Sequence, residues 1–304
     1  MERIAIIGGG PAGLTAGLYA ARGGAAVTLY EELFAGGQIV KTHRVDNYPG
    51  MDDGPDGFAL GERFARHAAK FGVEPTYSSV LSLTLAGREK LIVTPEGEAR
   101  YDAVILCMGA APRKLGLPRE EALTGAGLSY CATCDGAFYR GKDVIVVGGG
   151  DTAISDAIYL STLCRRVYVV HRRDELRASA ALADAAKRTE NIEFVWNSVP
   201  EAILGEDAVA GLAVRNVKDG AVRELAAAGL FAAVGVTPRS ELVLGELALS
   251  ANGAILTDSR CKTDLDGVYA AGDVRDTPLR QVVTACADGA IAATSALEYL
   301  RARA

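Results

Sequence analysis

The residues best placed to do chemistry lie together at 131–136, in the run Cys-Ala-Thr-Cys-Asp-Gly. Two thiols spaced this way can hold half of a zinc site, form a structural staple, or cycle between dithiol and disulfide. A structural zinc normally takes four ligands. The other cysteines, Cys107, Cys164, Cys261 and Cys286, are scattered singly, and His43, His67 and His171 show no ligand spacing. No metal is therefore expected. A lone Cys-x-x-Cys beside a βαβ pattern reads as a redox pair, which makes Cys131 and Cys134 the candidate catalytic residues. Attack on a disulfide requires a thiolate, so a depressed pKa is expected at one of them. The remaining four cysteines read as small buried hydrophobes.

The elements that must position this pair are announced by an internal repeat. Ile-Ala-Ile-Ile-Gly-Gly-Gly at 4–10 falls on Val-Ile-Val-Val-Gly-Gly-Gly at 144–150, an offset of 140. Gly13 falls on Ala153, Leu18-Tyr19 on Ile158-Tyr159, and Val27 on Val167. Each copy predicts a strand, a glycine turn, a helix and a second strand, which is the dinucleotide-binding βαβ unit. The first glycine (Gly8, Gly148) permits the tight turn. The second (Gly10, Gly150) lets the backbone approach a pyrophosphate, and a small third residue (Gly13, Ala153) lets helix pack on strand. The pyrophosphate would sit on the helix N-terminus, where free N–H groups and the dipole favour an anion.

The two copies differ where the second strand ends. The first reaches Glu31, whose carboxylate can accept hydrogen bonds from a ribose diol. The second reaches His171, followed by Arg172, Arg173 and then Arg177. A carboxylate repels a 2′-phosphate and guanidinium groups bind it bidentately, so the second copy reads as NADP-selective.

At 304 residues the chain has room for about two domains. Hydrophobic content of 49% is ordinary for a globular enzyme, and 35 glycines point to many turns or close backbone approaches. A net charge of −6 leaves no footprint for nucleic acid. No apolar run reaches the roughly 18 residues that cross a membrane. The first strand starts at Arg3 and leaves no room for a signal peptide, so a cytoplasmic location is expected. The pattern divides the chain into residues 1–112, an inserted block 113–241, and a returning tail 242–304, with Pro112, Pro118 and Thr237-Pro238 at the junctions. The first block carries a predicted helix near 57–71, strands near 76–94 and a strand at 101–107. The tail carries a strand ending at Gly272-Asp273 and a helix from near Leu279 to Leu300, with Asp288 and Glu298 on its polar side. Asp273 reads either as a ligand at a strand's carboxyl end or as a turn cap.

Taken together, these motifs give the chain a close resemblance to the low-molecular-weight thioredoxin reductases, over essentially all 304 residues. The shared motifs are Gly-Gly-Gly-Pro-Ala-Gly at 8–13, Gly-Gly-Gln at 36–38, Asn-Tyr-Pro-Gly at 47–50, Cys-Ala-Thr-Cys-Asp-Gly at 131–136, His-Arg-Arg at 171–173 with Arg177, Ala-Gly-Asp at 271–273, and Arg280-Gln281. The resemblance implies an α/β fold with two Rossmann-like domains, the NADPH domain inserted into the FAD domain. It implies FAD at Gly8, Gly10, Pro11, Ala12, Gly13, Glu31, Gly36, Gly37, Gln38, Asn47, Gly272, Asp273, Arg280, Gln281 and Val282. NADPH would meet Gly148, Gly150, Asp151, Thr152, Ala153, His171, Arg172, Arg173 and Arg177. Electrons would pass from NADPH through FAD to Cys134 and Cys131, and on to thioredoxin or a thioredoxin-like protein.

By the same resemblance Cys134 faces the flavin, Cys131 attacks the partner, and the protein is a homodimer whose inserted domain rotates about 113–117 and 238–242. Asp135 would move the proton a thiolate needs; the bland alternative is an Asp-Gly turn. The chain departs from the family at Cys107-Met108-Gly109, at Ser155-Asp156 where many members carry paired glutamates, and at Ala137-Phe138 where some carry two aromatics. Competing readings are a reductase of a peroxiredoxin- or glutaredoxin-like partner, a ferredoxin-driven or dithiol-oxidase relative, and a non-catalytic nucleotide-binding regulator with zinc on the Cys-x-x-Cys.

Overall fold

The computed structural model describes residues 2–41, 45 and 47–303; His43 lies outside them. The chain forms two compact units, Met1–Ala111 with Thr237–Ala304, and Pro112–Val236. The second crossing comes at 236–237, a few residues before the 241–242 expected from sequence. The reason is local: Val236–Pro238 pairs with Ala110–Pro112 in a two-stranded sheet, so both crossings fall within this ribbon.

In the first unit five parallel strands run in the order Val268–Ala270, Ala103–Leu106, Arg3–Ile7, Ala26–Glu31, Pro75–Tyr77. In the second the order is Leu128–Ser129, Gly229–Ala232, Asp143–Val147, Arg166–Val170, Ile192–Val195. The repeat holds in register: Ile4 pairs with Val27 in the first unit, and Val144 with Val167 in the second. Counted from the strand that precedes each glycine turn, each unit also inserts a three-stranded antiparallel sheet between its third and fourth parallel strands. These sheets are Ser82–Thr84, Lys90–Thr94 and Gly97–Tyr101 in the first, and Ser198–Leu204, Gly211–Asn216 and Val222–Ala226 in the second.

Alternation along the opening strands explains why both faces are covered. Ile4 and Ile6 join Leu14, Ala16 and Ala293 under the first helix, Pro11–Arg22, and the C-terminal helix, Val282–Arg301. Ala5 and Ile7 point the other way, into a core with Leu83, Leu85 and Ile92 of the antiparallel sheet. Val144 and Val146 pack with Ile154, Ala157 and Leu160, while Ile145 and Val147 pack with Leu212 and Val214. A strand buried on both faces reads as an unbroken apolar run.

Three sequence expectations shift. The strand expected at 101–107 is two strands, because Asp102 turns the chain from the antiparallel sheet into the parallel one, its carboxylate accepting from Arg3 N at 2.8 Å. The C-terminal helix begins at Val282, three residues past Leu279, where Gln281 and Thr284 form a reciprocal capping box. Asp288 is not on the helix's solvent face: it is 13% exposed, pairs with Arg275 at 3.0 Å and accepts from Gly272 N at 3.1 Å. Glu298 is exposed and pairs with Arg260.

Candidate functional site

Both glycine turns have the geometry their spacing demands. Gly8 and Gly148 adopt φ of +105° and +152°, and a Cβ there would lie 2.3 Å and 2.5 Å from the carbonyl oxygens of Cys107 and Ala233. A Cβ on Gly13 would lie 1.8 Å from Gly8 O. The second glycines differ. A Cβ on Gly10 or Gly150 meets no protein atom closer than 3.8 Å, and both residues are extended N-caps of the following helices. Protein packing does not demand glycine at either place; a ligand lying on the helix N-terminus does.

At the first turn, Glu31 receives Gly9 N at 2.7 Å and Leu33 N at 3.1 Å, and Gly36 N donates to Gly9 O. The 31–37 loop thereby lies over the turn, with Gly37 packed against Gly10. Gln38 is exposed. Asn47 is brought to the cap of the C-terminal helix, its Nδ2 donating to Gln281 Oε1 at 3.0 Å. Asp273 follows the edge strand at the carboxyl end of the sheet. Burial pushes its carboxyl up to about 6, with Arg280 opposing and Asp288 adding to the shift. Arg280 Nε is buried with no hydrogen-bond partner. A buried orphan donor, a buried carboxylate and an open helix N-terminus are what a bound FAD with its hydroxyls and phosphates would satisfy.

At the second turn a buried histidine precedes three exposed arginines whose charges it feels. His171 is 6% exposed, its ring packs against Gly149, and Nε2 lies 3.0 Å from Glu175 O. Burial lowers its pKa, the hydrogen bond to Glu175 opposes this, and Arg177, Arg172 and Arg173 lower it further. His171 therefore braces the loop as a neutral ring. Arg172, Arg173 and Arg177 are exposed, and among the described residues no carboxylate pairs with them. Arg177 N donates to Gly149 O at 2.7 Å, so its guanidinium stays beside the turn. The Asp151 carboxylate accepts from Ser179 N at 2.7 Å, while Thr152 is exposed and Ala153 is buried under the turn. These free cations and the open Gly150 suit a nucleotide bearing a 2′-phosphate.

The dithiol stands in the same unit, at the place Asp273 occupies in the other: after the edge strand beside the fourth parallel strand. Cys131 and Cys134 form a disulfide with Cα atoms 5.3 Å apart. Cys131 caps the short helix Ala132–Asp135, its Sγ accepting from Cys134 N at 3.2 Å. The amide of Cys134 is thus aimed at the Cys131 sulfur and not the reverse. Asp135 N donates to Cys131 O, and its carboxylate accepts from Ser129 Oγ. Glu120, only 3% exposed, accepts from the N–H groups of Leu115, Gly116 and Leu117 and from the Tyr130 hydroxyl. Burial pushes Glu120 up, but these donors outweigh it and hold the carboxyl below its ordinary range. Among the described residues no cluster of three metal-ligating side chains exists.

The departures from the family pattern fall at distinct places. Cys107 is buried with its carbonyl closing the Gly8 turn. Ser155 is exposed, whereas burial pushes Asp156 up to about 6. Ala137 and Phe138 are both exposed just past the dithiol. Sequence reasoning missed Ser129, Glu120, Arg275 and Asp288. The available signals were slight: polar residues in otherwise apolar or helical contexts, two to eleven positions from a motif.

Two Rossmann-like units, one of them carrying a redox-ready Cys-x-x-Cys, define a flavin- and nucleotide-dependent disulfide oxidoreductase. The chain belongs to the pyridine nucleotide-disulphide oxidoreductase family, whose profile matches residues 2–289. FAD and NADPH are its cofactors. More particularly, it is similar to thioredoxin reductases. It is 45% identical over 305 residues to that of Peptoclostridium acidaminophilum, covering 98% of this chain and 97% of the relative. It is 46% identical over 307 residues to that of Streptomyces clavuligerus, covering 100% and 95%. The crystal structure of thioredoxin reductase from Streptococcus pyogenes superposes with a TM-score of 0.90 at 42% identity, over 98% of each chain.

Proposed function

We propose that this protein reduces thioredoxin, or a thioredoxin-like protein, with electrons drawn from NADPH. The observation that carries the reading is the Cys131–Cys134 disulfide whose Cys131 Sγ accepts from Cys134 N, in the unit that also holds the arginine-flanked turn. FAD would be held by the turn Gly8–Gly13 with Pro11 and Ala12, by Glu31, by the 36–38 and Asn47 loops, and by Gly272, Asp273 and Arg280–Val282. NADPH would be held by Gly148–Ala153 and by Arg172, Arg173 and Arg177, with His171 bracing them.

When bound, NADPH supplies a hydride and FAD relays its electron pair to the disulfide. The residues of the chain do the rest. Two electrons break the S–S bond; Cys134 takes up one proton from Asp135 and becomes a thiol, and the Cys134 amide stabilises the charge left on Cys131. Cys131 then attacks the partner's disulfide and releases one partner thiolate, which takes up a proton. Cys134, deprotonated by Asp135, attacks Cys131 and releases the second. Atoms and electrons balance: one disulfide is formed and one reduced.

Domain rotation fits the crossings. Arg239 N donates to Gly109 O in one unit and Arg113 N to Gly235 O in the other, so the two strands of the ribbon are tied together at each end beside a left-handed glycine, Gly109 or Gly235. A homodimer is supported by the outer face of the C-terminal helix, where Val283 and Ile291 are exposed two turns apart. No helix among the described residues is long and apolar enough to cross a membrane, and a reducible dithiol suits the cytoplasm. Anaerobic titration with NADPH tests the whole chain of transfer. Uptake of about four reducing equivalents, two beyond the flavin's own, is expected. A flavin that NADPH leaves oxidised would refute it.

A further inference from the structure

The cycle above leaves one buried hydroxyl beside the disulfide unused. Ser129 ends the edge strand Leu128–Ser129, paired to Phe231 of the parallel sheet, and is 4% exposed. Its Oγ accepts from Cys131 N at 3.0 Å and donates to Asp135 Oδ2 at 2.6 Å. The hydroxyl carries a single proton, and the alternative acceptor, Cys131 O, is farther at 3.3 Å. A short bond to a carboxylate is the stronger of the two. One oxygen thus bridges the backbone of the attacking cysteine to the carboxylate that serves Cys134. The bridge has little slack, because the sheet fixes Ser129 and Glu120 fixes Tyr130, the residue between it and Cys131.

We infer that Ser129 is a positioning residue for the dithiol, its hydroxyl holding the ionised Asp135 carboxylate at the Cys131 backbone. The inference rests on the acid–base reading of Asp135. In the proton step, the Cys134 S–H bond breaks and an O–H bond forms on Asp135. The electron pair stays on Cys134 sulfur and makes the S–S bond to Cys131 as the partner's thiolate leaves with its own pair. A hydrogen bond donated to a carboxylate favours its ionised form. Ser129 therefore sets the lower pH limit at which Asp135 can accept the proton. Among the described residues, titratable groups nearby include the two cysteines themselves and Tyr139, whose hydroxyl is pushed up by burial and by the Asp135 charge. Helix Asp151–Ser161, packed on the short helix, brings Tyr159 against Gly136 and carries Asp156 a turn earlier.

The test is the pH profile of kcat/KM for thioredoxin, measured on FAD-loaded enzyme at saturating NADPH. Ser129→Ala is expected to move the acid limb up by about one pH unit, the effect of losing one charge-assisted hydrogen bond. Ser129→Thr, which keeps the hydroxyl, should restore the native limb, and Asp156→Asn should not move it. In an Asp135→Asn background, Ser129→Ala should change nothing further. FAD content and melting temperature check folding. Should Ser129→Ala not fold, Ser129→Gly removes the same hydroxyl and is read identically. An acid limb unmoved by loss of the hydroxyl, while Asp135→Asn removes it, overturns the role of Ser129 alone. An acid limb unchanged in Asp135→Asn overturns the Asp135 reading, and this inference with it.

Discussion

Replacing the second glycine of a turn should separate cofactor binding from folding. In Gly150→Ala the residue keeps φ −95° and ψ −179°, open to any side chain, and the new methyl meets no protein atom closer than 3.8 Å. Reduced freedom of the unfolded chain stabilises by about 0.4–1 kcal/mol, and the loss of a favourable N-cap costs about as much. The melting temperature should therefore stay within about 3 °C of native. Binding is another matter. A pyrophosphate oxygen hydrogen-bonded to the turn sits about 3 Å from the backbone, where a methyl carbon requires about 3.5–4 Å. The ligand must retreat by up to about 1 Å and lose one or two charge-assisted bonds at about 1.5–3 kcal/mol each. The KM for NADPH should rise about 100-fold, equivalent to about 2.7 kcal/mol. Calorimetric melting, steady-state kinetics with NADPH and the visible flavin spectrum read all three quantities. FAD content should remain native in Gly150→Ala and fall in Gly10→Ala, its counterpart in the other unit. Gly13→Ala, with a Cβ 1.8 Å from Gly8 O, should not fold. A native KM for NADPH in Gly150→Ala would refute the placement of the pyrophosphate. Loss of FAD from that variant would mean the two turns had been assigned the wrong way round.

The arginine reading predicts that Arg172→Ala/Arg173→Ala raises the KM for NADPH at least tenfold, by about 1.5–3 kcal/mol from lost charge-assisted bonds, with NADH unaffected. An equal rise for both nucleotides would refute it. Asp156 titrates near 6 because it is buried. Its contribution to stability is fully present below the ordinary carboxylate pKa and is lost as pH rises through about 6. Asp156→Asn should thus gain about 2 kcal/mol at pH 8 and almost nothing at pH 4; urea unfolding showing equal gains would exclude burial as the cause. Glu120 has the opposite sign. Its depressed pKa stabilises above the ordinary carboxylate range, and that stability fades as pH falls through the folded pKa. Glu120→Gln should cost about 2–4 kcal/mol at pH 7, and an unchanged urea midpoint would contradict the hydrogen bonds drawn to it.

By itself the sequence determined the strand–turn–helix units, the glycine roles within them, the redox pair and the arginines after the second strand. These depend on backbone conformation and side-chain type within about 30 residues, and such local geometry is written in spacing. The block structure was legible too, because the offset of 140 places one unit inside the other. Only the tertiary structure decided which distant polar groups meet. Asn47 reaches Gln281, and Asp288 turns inward to Arg275 and Gly272. His171 is buried against Gly149. Ser129 belongs to none of the motifs the spacing reveals. Its meaning comes from an edge strand that pairs with Phe231, about a hundred residues later, and sets its hydroxyl between Cys131 and Asp135. Strand pairing across that separation is fixed by burial of both sheet faces at once, and no local pattern encodes it.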